Sequence, residues 1–383
     1  MENVSEMVDN GAVDAKQPVG IKEIARALGV SIGTVDRALH DRPGINALTR
    51  ARVLTMAQTL GYRPNVAARY LKLKRKINIS VHLPREIAFF FDTLRQGIIE
   101  AATPFASTVH LQFRAVRRLG EGEAELFREA LEQGANGIIV APGHPAKVRM
   151  WIRKAARQHV PVVCVATDAP KTERLTAVAA DAYTAGAMVA ECLLRAVHAA
   201  SSVLIVTGDL STVDHSEKVR GFREFLPDGA HLSVGPIIEA HDDPQEAYTR
   251  VRECLRRDGQ LRAVYVSTAN SLPVLRALDE AAGKRSLSVV TTDLFPELIP
   301  YIRDGRIMAT VSQRPHTQGG MAFGALYRYL VDSVCPPARL RLAPHFVSRS
   351  NLPLELEILA SRLGSLPGVS AESYEVAGSN DYH

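Results

Sequence analysis

The stretch IKEIARALGVSIGTVDRALHDRPGI, residues 21–45, decides the fold of the N-terminal part. Ile21, Ile24, Ala25 and Leu28 recur at i, i+3, i+4 and i+7, which is one face of a helix. Gly29 follows, where a helix C-terminus favours a left-handed residue. Ser31 suits the N-cap of a second helix over Ile32–Leu39. Asp41-Arg42-Pro43-Gly44 then supplies turn chemistry. Helix, short Gly-containing turn and helix make the helix-turn-helix layout. A third helix is predicted over Leu48–Leu60, with Val53, Met56, Ala57 and Leu60 as its apolar face and Gly61 as its stop. Beyond Tyr62 and Pro64, with Asn65 as N-cap, Val66–Leu71 has helix-forming residues but too little length to be stable alone.

Charge sharpens this reading. Residues 18–76 carry twelve Lys/Arg against three acids, residues 1–17 carry four acids against one lysine, and the rest of the 383-residue chain is close to neutral. A positive excess confined to one short segment is the electrostatic footprint of a polyanion-binding module, with a merely solvated basic face as the plain alternative.

The segment IKEIARALGVSIGTVDRALHDRPGI followed by TRARVLTMAQTLGYRPNVAARYL, residues 49–71, resembles the headpiece of the lac-repressor (LacI/GalR) family of bacterial transcription regulators. That resemblance implies a second helix lying in the DNA major groove with Ile32, Gly33 and Arg37 at base edges. Arg37 suits a bidentate pair with guanine, with a phosphate contact as the plainer role, and Ile32 suits a thymine methyl. Ser31 caps this helix, and Thr34 is matched to a phosphate. Asp36 stands where the family usually has serine, which argues against a phosphate contact there. The family pattern makes Asn65–Leu71 a hinge helix ordered on operator DNA, with Ala68 at the close helix–helix approach and Leu71 as a minor-groove wedge.

From Ile77 onward short apolar strands alternate with amphipathic helices. Strands are predicted at Ile77–Leu83, Val109–Val116, Gly137–Ala141 and Val160–Ala166, then at Val203–Thr207, Leu232–Ile238, Ala263–Ser267 and Leu287–Thr292. Two such series argue for two α/β lobes with parallel sheets, and ligands of such sheets bind beyond the carboxyl ends of the strands. Residues 77–353 resemble the two-lobed, type I periplasmic sugar-binding-protein-like effector domain of the same family, ATVSQRPHTQGGMAFGALYRYL at 309–330 being the best local match. By that similarity Phe90 and Phe91 stack on a sugar face, with core packing as the alternative. Asp168, Asn270, Asp293 and Gln313 each follow a different strand and suit the hydroxyls of a neutral polyol. Ala169 stands where ribose-type proteins carry an arginine, and Arg314, His215, Ser216 and Lys218 are candidates to compensate. His82, His110 and His144 read as surface or strand-end residues, and Trp151 as lobe core.

The domain reading is a tail at 1–17, a small all-α headpiece at 18–63, a hinge helix and linker at 64–76, the two-lobed domain at 77–353 and a C-terminal tail at 354–383. The tail has apolar residues for one short helix and too few for a tetramerising coiled coil. There is no GxSxG, Walker loop, HExxH or Rossmann fingerprint, so no catalytic residue, cofactor or metal is expected. Cys164, Cys192, Cys254 and Cys335 lack metal-binding spacing and are expected as buried thiols. No apolar run spans a bilayer and MENVSEMVDNGAVDAKQ is no secretory signal, so a cytoplasmic location is expected, with no membrane partner. The expectation is a homodimeric regulator, most simply a repressor, that binds a pseudo-palindromic double-stranded DNA operator under control of a small carbohydrate. A transport-type sugar-binding protein, without a headpiece, and a sugar-responsive activator are the rivals.

Overall fold

A computed structural model of the chain describes residues 20–39, 43–60, 62, 76–281 and 286–363. The 1–17 tail and the hinge residues Asn65, Ala68 and Leu71 lie outside the described residues. The chain divides into two compact units, a helical headpiece and an α/β body, each taken by itself.

In the headpiece, helices α1 (Ile21–Leu28), α2 (Ile32–Leu39) and α3 (Ala47–Thr59) follow the predicted order. Gly29 closes α1 with a left-handed φ of 65°. The Ser31 hydroxyl accepts the Thr34 amide at 3.1 Å, and Asn46 caps α3 by accepting the Thr49 amide at 2.7 Å. Ile24, Ala25, Val35, Ala38, Val53 and Ala57 form the core, rimmed by Ile21, Leu28, Met56, Leu60 and Tyr62.

The body has two six-stranded sheets. The first runs β11-β5-β4-β3-β1-β2, where β1 is Ile77–Pro84, β2 Val109–Val116, β3 Gly137–Val140, β4 Val162–Val165, β5 Thr176–Ala180 and β11 Arg339–Leu342. All its pairings are parallel. The second runs β12-β10-β9-β8-β6-β7, with β6 Ser201–Thr207, β7 Leu232–Glu239, β8 Ala263–Val266, β9 Ser288–Thr292, β10 Ala309–Ser312 and β12 His345–Val347. Only β12 is antiparallel to its neighbour. Central strands β3, β4 and β8 are buried throughout, as helix-covered parallel strands must be. The chain crosses between lobes after β5, after β10 and between β11 and β12.

Separate apolar clusters fill the lobes. Phe127, Ile138, Val140, Ile152 and Val162 serve the first. Leu204, Val264, Leu275 and Ile302 cover one face of the second sheet, and Leu193, Ile205, Phe222 and Tyr265 the other. Helix Val213–Phe225 docks on helix Ala182–Ala196 with backbone against backbone. A Cβ on Gly186 or Gly221 would overlap the carbonyl of Lys218 or Tyr183 on the partner helix, and this close seat fixes where Lys218 points.

Four expectations need correction. Strands β5, β11 and β12 were not predicted. His82 is only 2 % exposed, because β1 is an interior strand with both faces covered. Of the cysteines only Cys164 is buried. Cys192 and Cys254 are half-buried, Cys335 is exposed in the loop before β11, and none is in a disulfide. Helix Leu352–Leu363 spans the predicted boundary at 353, and Leu352, Leu356 and Leu359 pack on the second lobe's core. Trp151 is half-buried beside the first lobe's cluster.

Candidate functional site

The headpiece presents one polar edge. Val35 and Ala38 turn α2 inward, which leaves Ser31, Ile32, Gly33 and Arg37 exposed and Thr34 half-buried. Ile32 is 50 % exposed, so its side chain is available on this surface. The three residues assigned from sequence to base edges, with the capping Ser31, thus lie exposed along one helix, with Thr34 half-buried among them.

In the body the lobes face each other across a cavity of about 350 Å³. Its walls come from segments just past strand carboxyl ends, as expected for open parallel sheets. Phe90 and Phe91 supply an apolar wall after β1 and meet edge to face at 5.0 Å. Phe89 points away and packs on Phe295 of the second lobe. Arg118 and Gly120 follow β2, His144 follows β3 and Thr167 follows β4. Asp209, Asp214, His215 and Lys218 follow β6, Asp242 follows β7, Thr268 follows β8 and Gln313 follows β10. Ile87, Ala166, His241 and Asp242 of this lining hold left-handed backbone, at φ 53°, 65°, 48° and 54°. Each costs roughly 1–3 kcal/mol, a strain that gathers at binding sites.

Most of the lining's charges are closely partnered, Lys147 being exposed. Lys218 is 1 % exposed and donates to Asp214 Oδ2 at 2.7 Å and to the Ser267 carbonyl at 3.1 Å. Arg118 donates to Glu86 at 3.0 Å and, across the cleft, to Asp243 at 2.9 Å. These two acceptors hold the Arg118 guanidinium above its ordinary pKa. The backbone amides of the helix that Asp243 caps, Glu246 first, hold its carboxyl below the usual range. Burial acts to raise Asp209, but hydrogen bonds from Ser211 and the nearby His144 and His241 leave it lowered. Thr268 donates to Asp242 at 2.6 Å. His215 is buried, about 3.9 Å from both Asp214 and Asp242, and its Nδ1 has no hydrogen-bond partner.

Further bonds close the cleft. Thr212 donates to the Gly143 carbonyl at 2.9 Å, Ser211 meets His144 Nδ1, and the Asp214 amide donates to Thr167 at 3.3 Å.

Among the sequence-predicted ligand residues, Phe90, Phe91 and Gln313 line this cavity. Asp293 is outside this lining and borders another crevice, accepting the Gln313 amide at 2.9 Å and its side-chain amide at 2.6 Å, and burial pushes its carboxyl up to about 6. Asp168 lines a neighbouring crevice instead, held by two bonds from Arg174 and by Arg339 at 3.1 Å. Asn270 falls just past the lining residues Thr268 and Ala269. Of the compensating candidates, His215 and Lys218 line the cavity, Ser216 lines the Asp168 crevice, and Arg314 is exposed at the second crossover. Arg118, His144, Asp209 and Asp242 were missed. The available signal was the glycines of Gly143-His144 and Gly208-Asp209, each just beyond a strand end.

Among the described residues no group of His, Cys, Asp or Glu could hold a metal ion, and no helix is long and apolar enough to cross a membrane.

A helix-turn-helix headpiece joined to a two-lobed ligand cleft defines a ligand-sensing DNA-binding regulator. Residues 20–65 match the bacterial regulatory proteins of the lacI family, and residues 79–332 match the periplasmic binding protein domain. The chain belongs, over its body, to the periplasmic binding protein domain family and carries a lacI-family helix-turn-helix domain in front of it, and it is a DNA-binding transcriptional regulator. It is 27 % identical over 252 residues to catabolite control protein A of Priestia megaterium, covering 65 % of this chain and 74 % of that one. It is 26 % identical over 318 residues to catabolite control protein A of Streptococcus mutans, covering 82 % and 91 %. Among solved structures, a solute binding protein from Burkholderia graminis in complex with D-arabinose superposes with a TM-score of 0.68 at 23 % identity, covering 72 % of this chain and 97 % of that one. The Caulobacter myo-inositol binding protein, bound to myo-inositol, gives 0.67 at 21 % identity, covering 76 % and 97 %.

Proposed function

We propose that the protein is a homodimeric repressor, acting in the bacterial cytoplasm, whose inter-lobe cavity takes a small uncharged polyhydroxy molecule, a monosaccharide or cyclitol. The charge balance of the cavity carries this reading. Of the lining cations, buried Lys218 is engaged by Asp214 and half-buried Arg118 by Glu86 and Asp243, while the Lys147 charge lies in solvent. Asp209, Asp214 and Asp242 face the same space. A phosphate or carboxylate on the ligand would bring like charge into a desolvated site, which is strongly unfavourable. Hydroxyl groups instead meet carboxylates, the Gln313 amide, His215 and Lys218 as donors and acceptors at once. Phe90 and Phe91 cover the ligand's apolar face, Asp293 orients Gln313, and Asp168 fixes Arg174 and Arg339.

On the DNA side, Ile32, Gly33 and Arg37 read base edges, Ser31 and Thr34 seat the helix on phosphates, and Asn65, Ala68 and Leu71 act in the hinge. Two headpieces take the two halves of a pseudo-palindrome. Effector binding shifts the relation between the lobes and so the DNA affinity, by about 1–3 kcal/mol and reciprocally. No catalytic step is part of this reading.

Calorimetric titration with D-arabinose, D-glucose, D-galactose and myo-inositol, set against gluconate and glucose 6-phosphate, tests the ligand class. A neutral polyol is expected to bind and the anions are not. Tight binding of an anion with none of the neutral compounds would overturn the proposal.

A further inference from the structure

Outside the cavity lining, Glu123 is a buried carboxylate, 5 % exposed, at the first position of helix Glu123–Glu132. An acid there commonly serves its own helix. Here Glu123 Oε1 accepts the Gly120 amide at 2.8 Å and the Gly143 amide at 2.7 Å, so it reaches into two loops that follow different strands. Burial raises this carboxyl above the usual range against the pull of those two amides. The loops have no room for side chains where they meet. A Cβ on Gly143 would overlap the backbone of Gly120, and one on Gly120, whose φ is +84°, would overlap the His144 ring.

The two loops supply the first lobe's share of cavity and closure. The loop after β2 carries Arg118, bonded to Asp243 of the second lobe. The loop after β3 carries Gly143, whose carbonyl receives Thr212, and His144, which meets Ser211. Three of the bonds that cross the cleft, two from side chains and one to a backbone carbonyl, therefore belong to loops that one carboxylate ties together.

We infer that Glu123 is a positioning residue of the effector site, clamping the Gly120 and Gly143 loops so that the first lobe can close on the second. The inference rests on the inter-lobe cavity being the effector site, but its first consequence needs no effector. Glu123 touches no ligand and acts through the two loops.

The test compares the full chain with Glu123→Ala and Glu123→Gln by amide hydrogen exchange and by titration with D-arabinose, D-glucose, D-galactose and myo-inositol. In Glu123→Ala the Gly120 and Gly143 amides exchange about tenfold faster or more, the loss of a buried bond to a charged acceptor. Thr212–Asp214 across the cleft also lose protection, while Ile139 and Val163 in the sheet keep theirs. Any polyol of that panel that binds the wild type binds Glu123→Ala about tenfold more weakly. Glu123→Gln, which keeps an acceptor oxygen, restores both. If Glu123→Ala does not fold, Glu123→Asp, which withdraws the carboxylate by one methylene, is expected to show the same pattern. Unchanged exchange at Gly120 and Gly143, uniform loss of protection through the sheet, or faster loop exchange with unchanged protection at Thr212–Asp214 overturns the inference. If no polyol binds the wild type, the effector-class proposal fails while the exchange data still decide the role of Glu123.

Discussion

Replacing Lys218 by methionine probes the charge balance on which the ligand assignment rests. The side chain keeps most of its length and loses its charge. Asp214, only 12 % exposed, is then left without the cation 2.7 Å away, and the Ser267 carbonyl loses its donor. Removing one partner of a buried ion pair costs about 3–5 kcal/mol, because the remaining charge is stranded in a poorly solvated place. The lost bond to a backbone carbonyl is a smaller part of this, about 1 kcal/mol. Adding Asp214→Asn removes the stranded charge, so the double variant should recover about 2 kcal/mol relative to Lys218→Met, a non-additivity typical of residues in contact. Urea unfolding followed by circular dichroism reads both quantities without any effector. A Lys218→Met variant within about 1 kcal/mol of wild type, or a double variant no more stable than the single, would refute the reasoning. Lys218 would then be free to meet an anionic effector, and the uncharged class would lose its basis.

Three further outcomes are expected. Arg37→Ala should cost about 1–3 kcal/mol of discrimination between operator and random DNA, measured by competition binding at fixed salt, while general affinity falls little. Gly143→Ala forces its new methyl into the Gly120 backbone and should lower unfolding free energy by about 1–3 kcal/mol, read by urea unfolding, and weaken effector binding with it. Two buried groups set opposing pH trends. Burial, with Arg114 nearby, holds His82 down at about 3, so its contribution is full above its ordinary 6.5 and is lost as pH falls from there toward 3. Asp293, raised to about 6, contributes stability below its ordinary 3.8 that is lost as pH rises through 6. Each slope is about 1.4 kcal/mol per pH unit, so the two nearly cancel between pH 4 and 6. Relative to wild type, His82→Leu should gain stability as pH falls over that interval and Asp293→Asn should lose it, both read by unfolding at stepped pH. Parallel pH profiles for wild type and His82→Leu would contradict the burial of a neutral imidazole.

The headpiece was legible almost to the residue, because capping residues punctuate it. Gly29 and Ser31 stand where the first helix stops and the second starts, whereas the Asn46 cap that starts the third at Ala47 was not read. The α/β alternation of the body was equally plain in runs such as Gly137–Val140. Strand β5, with the sequence TAVAA, has three alanines beside Thr176 and Val178, too weak a β-branched pattern to announce a strand. Strand β11, with the sequence RLRL, pairs only with β5 at a sheet edge and carries exposed arginines. Strand β12 is three residues long and exists through its antiparallel pairing with β10.

The site was harder to read. Its strand-end location was predictable, but which side chain at a strand end enters the cavity depends on pairings made in three dimensions. Asp168 is taken by Arg174 six residues on and by Arg339 from the far end of the chain. Asp293 turns under Gln313 rather than into the cavity. His144 and Asp209 meet only because the lobes close, and no local pattern in either segment encodes that approach.

Selection of bound duplexes from a random DNA pool by the full chain at physiological salt, repeated with each neutral polyol, tests the central claim most directly. The account predicts one enriched pseudo-palindrome whose retention changes about fivefold or more with a single polyol, the coupling expected of two linked sites. Sequence-blind retention that merely follows salt concentration, unchanged by every compound, would contradict it.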